Sequence, residues 1–255
     1  MIFGRMFQSL RAGRRIAHRE KAAGNTGNMK KALVIGASGD VGRGIATALA
    51  GAGWKTAAMG RSAPRLQHPG VSVTVEGDVA TPGSAAQAAR NVVAALGAPD
   101  LVVVTVNGAN TAQRMADLDG AAFARTFSEN VVPHIEAARA FLPVMAPGGT
   151  YIAIGGGMAD LVFPGTAAIS AAQAAQRMVF RHLAADPPRA DVRILELMLY
   201  AMIAGERTGP QTGPQWIESA EVGRHLLAVL ADPEAFAGPI LRLKSARQVG
   251  LPEAS

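Results

Sequence analysis

From Met29 onward, short runs of branched apolar residues alternate with longer, alanine-rich stretches. Residues 32–35, 55–59, 71–75, 101–106, 150–154, 192–198 and 240–243 read as strands. Residues 41–52, 84–96, 121–145, 167–185 and 220–230 read as helices. Segment 101–106 is nearly all valine, as a strand covered on both faces should be. Strict strand–helix alternation specifies a parallel sheet with helices on both sides. The expected fold class is therefore α/β, a single doubly wound parallel sheet in a three-layer αβα domain over residues 29–249, with 250–255 as a short tail.

The formal net charge of +6 first suggests an acidic partner such as nucleic acid. Its distribution argues otherwise. Residues 1–28 hold six basic residues and one acid, whereas the rest of the chain holds 19 basic and 18 acidic residues. The globular part is nearly neutral, so no nucleic-acid partner is expected. Within the basic extension, Ile2, Phe3, Met6, Phe7 and Leu10 recur at helical spacing. Three readings stay open: an amphipathic helix on a membrane surface or partner, an Arg-rich transit-like segment, or a translation start that belongs at Met29. The chain has no cysteine, which excludes disulfides, thiolate metal sites and cysteine nucleophiles. No apolar run reaches the roughly 18–20 residues of a membrane span, and a cytoplasmic protein is expected. His134 and His182 lie on predicted helices without metal-ligand spacing and read as structural; no metal is expected.

The stretch Gly36-Ala37-Ser38-Gly39-Asp40-Val41-Gly42-Arg43 lies between the first strand and the first helix. A glycine turn there admits a pyrophosphate to the backbone, and the helix N-terminus offers free N–H groups and partial positive charge. Gly36 and Gly39 would permit the turn, and Gly42 would allow close helix–strand packing. The next strand ends in Gly60-Arg61-Ser62. An acid at this place in dinucleotide folds binds the ribose 2′-OH of NAD, while Arg accommodates the 2′-phosphate of NADP. No acid stands between Asp40 and Glu76, so Arg61, with Arg43 as a second cation, points to NADP(H) in preference to NAD(H).

From about Lys30 to Leu243 the sequence resembles the short-chain dehydrogenase/reductase family. The Gly36–Gly39–Gly42 spacing is similar to its extended and atypical members, and the resemblance implies a Rossmann-like fold binding a nicotinamide dinucleotide and a small-molecule substrate. Gly77-Asp78-Val79 follows the third strand as the family's adenine-contacting Asp does, which assigns Asp78 and Val79 to the cofactor. Asp100 opens the fourth strand as in the family, but Val104-Thr105-Val106-Asn107 stands where Asn-Asn-Ala-Gly is expected, with Asn107-Gly108-Ala109 as a shifted remnant. Ser128-Glu129-Asn130 resembles the segment carrying the family's structural and catalytic Asn, placing that role on Asn130. Trp216–Val222 resembles the stretch leading to the last helix. The resemblance also implies a homo-oligomer, because the family pairs through the helices corresponding to 121–145 and 167–185.

The family's catalytic residues are missing. Its Ser falls on Gly156, its Tyr on Ile169, and its Lys on Gln173. A shifted alignment does not restore them: the two tyrosines, Tyr151 and Tyr200, are followed four residues later by Gly155 and Ala204. Ile169 has no proton to give, and Gln173 keeps hydrogen-bonding capacity toward the nicotinamide ribose but has no charge. Losing a general acid typically costs about 10²–10⁴-fold, and losing an oxygen-positioning donor about 10²–10³-fold. The first candidate for a surrogate acid is Tyr200, after the sixth strand; Asp160, Thr166, Ser170 and Arg177 lie nearby in sequence or on the same helix. Conventional carbonyl reduction is thus not expected. Three alternatives stay open: a reductase for an activated double bond or iminium, a non-catalytic redox sensor or regulatory module, and an inactive subunit of a mixed oligomer.

Overall fold

The computed structural model describes residues 29–206, 213 and 216–253. The basic extension and its three readings lie outside these residues. Seven parallel strands form one sheet: β1 (Lys31–Ile35), β2 (Lys55–Gly60), β3 (Val73–Glu76), β4 (Leu101–Val104), β5 (Thr150–Gly156), β6 (Arg193–Leu199) and β9 (Ile240–Leu243), in the order β3-β2-β1-β4-β5-β6-β9. The order reverses between β1 and β4, which opens a crevice at the carboxyl ends of the strands. The expected doubly wound, three-layer architecture is what the chain adopts.

Helices α1 (Asp40–Gly51) and α6 (Ser219–Ala231) cover one face, sealing Val34, Ile45, Leu49, Val103, Ile152, Leu197 and Leu226. On the other face α2 (Pro82–Leu96), α4 (Val132–Phe141) and α5 (Ala167–Ala185) seal Leu33, Met59, Val92, Val102, Phe141, Tyr151 and Phe180. Strand β4 is fully buried, which explains its near-uniform valine: it meets helices on both sides.

Three expectations need correction. The single helix read over 121–145 is two helices, α3 (Gly120–Asn130) and α4, followed by a 3-10 turn. Pro133, in the first turn of α4, has no N–H to continue the α3 ladder. The strand read over 101–106 ends at Val104, where the Thr105 hydroxyl turns to the carbonyls of Ile35 and Gly36 (3.0 and 3.1 Å). Two further strands, β7 (Met202–Ala204) and β8 (Trp216–Glu218), pair in parallel in a small sheet of their own. At three residues each, they carry too little periodicity to be read from sequence.

Candidate functional site

In the glycine-rich turn, backbone conformation or close packing requires glycine at two of the three positions. Gly36 has φ +84°, open to glycine at no steric cost. A Cβ on Gly42 would lie 2.5 Å from the Gly36 carbonyl oxygen and 2.8 Å from Thr105 Oγ1, so only glycine lets α1 approach the sheet this closely. Gly39 needs no positive φ; it precedes α1 without capping its first N–H groups by a side chain. The first turn of α1, from Asp40, thus carries no side-chain cap. Two residues not singled out in the sequence brace this loop: Thr105, and buried His68, whose Nε2 meets the Ala37 carbonyl at 2.8 Å.

Ser38 Oγ lies beside Gly60, 3.8 Å from where a Cβ would sit, and its hydroxyl makes no hydrogen bond among the described residues. Arg61, the next residue along, is exposed and forms no ion pair among the described residues. Ser38 and Arg61 therefore flank the end of β2 together. Arg43 is already engaged, paired with Glu206 just beyond β7. The Asp40 carboxylate crowds Gly205 on the same segment. Asp78 Oδ1 accepts from the N–H groups of Val79 (2.8 Å) and Ala80 (3.2 Å), while the Val79 side chain is buried in the core.

Asn130 is buried at the break between α3 and α4. Its Oδ1 accepts from Gly108 N–H (3.0 Å) and its Nδ2 donates to the Thr126 carbonyl (2.9 Å). It thus ties the loop after β4 to α3, and the partner is Gly108 of the shifted Asn107-Gly108-Ala109 remnant. His134 is buried, meets the Val106 carbonyl at 2.9 Å, and is pushed down to about 4 by burial, so it stays neutral. Among the described residues, no cluster of His, Asp and Glu could hold a metal ion.

At the end of β5 the glycines 155–157 carry no side chains, and other residues fill the space. The Glu196 carboxyl of β6 lies against Gly155, with Cδ 2.9 Å from its Cβ position; Gln173 Cδ of α5 lies 2.6 Å from that of Gly156; the Tyr200 ring lies 2.6 Å from that of Gly157. Glu196 is fully buried, and Gln176 Nε2 donates to it at 2.9 Å. Burial raises this carboxyl to about 7, partly offset by the Gln176 hydrogen bond and the nearby Arg177 charge. The Tyr200 hydroxyl donates to Asp160, which also pairs with Arg177. Burial, then the Asp160 hydrogen bond, hold the phenol above its usual range, while Arg177 and Tyr200 hold Asp160 below its own. Tyr200, Asp160 and Arg177, separate candidates in the sequence, are thus one cluster. Thr166 and Ser170 bond each other at 3.3 Å at the start of α5. Glu196 and Gln176 were not foreseen; a lone Glu in an apolar strand was the available signal.

Beside this edge opens a cleft of about 580 Å³ between the loop after β4, α3 and the start of α5. Thr126, Glu129 and Arg125 line one wall, and Thr166 and Ile169 the other. The aliphatic side chain of Ile169 is part of that second wall.

The chain matches the enoyl-(acyl carrier protein) reductase family over residues 36–250. No curated protein sequence matches it. Among solved structures, an alcohol dehydrogenase from the archaeon Thermococcus sibiricus, complexed with 5-hydroxy-NADP, is 25% identical with a TM-score of 0.74, covering 89% of this chain and 100% of its own. A short-chain dehydrogenase/reductase from Serratia marcescens is 20% identical (TM-score 0.72, covering 85% and 97%). A short-chain dehydrogenase from Streptomyces avermitilis is also 20% identical (TM-score 0.72, covering 88% and 91%). These last two speak for the fold alone. Among the described residues, no helix is long and apolar enough to cross a membrane.

Proposed function

The chain belongs to the short-chain dehydrogenase/reductase family of oxidoreductases, with an NAD(P)-binding fold, and we propose that it binds NADP(H) in preference to NAD(H) at a site that has lost conventional carbonyl reduction. The observation that carries the cofactor choice is an exposed Arg61 directly after Gly60, with the Ser38 hydroxyl beside Gly60 and no acid there to favour a ribose 2′-OH. The relative from Thermococcus sibiricus, crystallised with an NADP derivative, is consistent with this reading. The residues present fit such a group: Gly36, Gly39, Asp40, Val41 and Gly42 offer backbone to a pyrophosphate, Arg61 and Ser38 a cradle for the 2′-phosphate, and Asp78 and Val79 an edge for adenine. Arg43 joins only by leaving Glu206. When bound, the dinucleotide supplies hydride; everything else must come from the chain.

The chain supplies little toward a developing alkoxide. Ile169 has no proton, Gly156 no hydroxyl, and Gln173 no charge with which to shift a pKa. Asn130 is spent on Gly108 and Thr126. Tyr200 keeps its proton but directs it at Asp160, so it serves as an acid only after leaving that carboxylate. An acceptor needing less acid help, such as an activated double bond, suits this site better than a plain ketone, and the enoyl reductase description of the matching family points the same way. The same losses favour a second reading, a cofactor-binding module or partner subunit without turnover. The chain is further expected to form a homo-oligomer in the cytoplasm.

Fluorescence titration with NADPH and NADH tests the cofactor assignment. NADPH should bind at least about tenfold tighter, and Arg61→Ala should remove most of that difference, as loss of a charge-assisted hydrogen bond would. Equal or tighter NADH binding contradicts the role of Arg61. NADPH binding without reduction of any carbonyl or enone favours the second reading.

A further inference from the structure

The cleft between the loop after β4, α3 and the start of α5 is lined by two charged side chains, Arg125 and Glu129, both exposed and both on α3. At i and i+4 they stand within reach of each other, about 6 Å between Cβ atoms. Yet neither forms an ion pair, with the other or with any side chain among the described residues. Elsewhere such neighbours close: Glu136 pairs with Arg139 and Glu221 with Arg224, at 3.3 and 2.9 Å. The order of the residues accounts for part of the contrast. Acid before base suits the helix dipole, whereas base before acid, as in Arg125 and Glu129, opposes it. Glu129 also has a seat of its own. A Cβ on Gly108 would lie 2.5 Å from Glu129 Cβ and 2.9 Å from its Oε2, so the carboxylate rests against the loop after β4, in room that a side chain at 108 would take. Leu118, Ala122, Ala168 and Ile169 make much of the remaining wall apolar. A cleft of about 580 Å³ thus presents one cation and one anion, neither answered among the described residues, to a small ligand lying between them.

Resting on the reading that this chain binds NADPH at a site without a general acid, we propose that the cleft takes a small zwitterionic substrate, an imine that bears a carboxylate. Its carboxylate meets Arg125, and its protonated imine nitrogen meets Glu129. A guanidinium matches a carboxylate in a two-point fork. The Glu129 carboxylate accepts from the imine N–H and favours its charged form. The imine carbon accepts the hydride, the C=N π pair moves to nitrogen and cancels its charge, and NADPH is oxidised to NADP⁺. A ketone would leave an alkoxide in want of a proton, which Ile169 does not have; the amine formed here needs none from the protein. A screen restricted to carbonyls and enones misses an acceptor of this kind.

The test uses the full chain and three probes of one ring size. Piperidine-2-carboxylate carries both charges, cyclohexanecarboxylate only the negative one, and piperidine only the positive one. Binding is read by ligand-observed NMR on protein without cofactor. The zwitterion should bind at least about tenfold tighter than either single-charge probe, the scale of one charge-assisted hydrogen bond. Arg125→Gln should bring it down to the level of piperidine and leave piperidine unchanged. Glu129→Gln should bring it down to the level of cyclohexanecarboxylate and leave that probe unchanged. Turnover is read as loss of NADPH absorbance with the ring imine that hydride converts to piperidine-2-carboxylate, and each variant should lower kcat/KM at least about tenfold. Equal binding of the three probes, or a zwitterion preference that survives either variant, overturns the charge pair. Binding of both zwitterion and NADPH with no NADPH consumed overturns the imine as hydride acceptor. If NADPH itself fails to bind, the cofactor reading falls and the hydride step with it, while the three probes still decide the charge pair.

Discussion

Glu196 occupies the middle of a parallel sheet, where a charge has no water to meet. Its carboxyl is raised to about 7 from the ordinary 4.5, burial being the main cause. The folded protein therefore holds this proton more tightly than the unfolded chain does. The associated stability is fully present below about pH 4.5 and is lost as pH rises through 7, by up to about 3 kcal/mol. Glu196→Gln keeps an acceptor for Gln176 and removes the titration. Urea midpoints at pH 5 and pH 8 should fall for the wild type and stay level for the variant; parallel profiles would show that Glu196 does not titrate in this window. At this scale the sequence was uneven as a guide. Gly36 and Gly42 could be read because a βα turn puts its requirements into a few consecutive residues. Thr105, His68, Gln176 and Glu196 could not, because each acts on a partner distant in the chain: Thr105 lies 70 residues from Ile35, and Glu196 20 from Gln176. That Gln173 lies over Gly156 was not legible either, since it depends on how α5 lies against β5.

Among the elements, α1 and α6 make the closest helix–helix approach in the layer beside the cofactor turn. A Cβ on Gly44 would press into the Ser219 carbonyl group and come 2.7 Å from Ala220 N, and one on Gly223 would come 3.0 Å from the Gly44 carbonyl oxygen. These neighbours are backbone and cannot swing aside. Gly44→Ala should cost about 1–3 kcal/mol by overpacking and lower Tm by several degrees. Gly51→Ala, in the same helix with nothing within 4 Å of the added methyl, is the control and should be neutral or slightly stabilising. Calorimetry on the pair checks this; equal Tm values would mean that the helices shift apart freely. Strands and helices were legible wherever the run was long and its period clear, as in α5, which matches its expected bounds of 167–185. The errors fell where one residue outweighs the pattern, such as Pro133 between two helical stretches, and where elements are too short to have a period, as in β7 and β8.

Across the whole molecule, the outward face of α5 is the exposed surface to watch. Ala172, Gln176 and Phe180 point to the sheet. Ala171, Ala175 and Met178 form the opposite stripe, and Met178 is 48% exposed. If the proposed homo-oligomer uses this helix, Met178→Glu should shift sedimentation of the full chain toward monomer while leaving its circular dichroism unchanged. An unaltered sedimentation coefficient would remove α5 from the interface. The near-neutral body of the protein gives such faces little mutual repulsion, since most of the excess charge resides in residues 1–28.

The contact of Gly44 with Ser219 has a further consequence, for motion. Helix α1 carries the glycine-rich turn at its N-terminus, and its middle is seated against the backbone that begins α6, nearly 180 residues later. A helix held in this way cannot open on its own, because exposing its amides means lifting the C-terminal quarter of the domain with it. In native-state hydrogen exchange, α1 and α6 should therefore share one opening free energy, close to that of global unfolding.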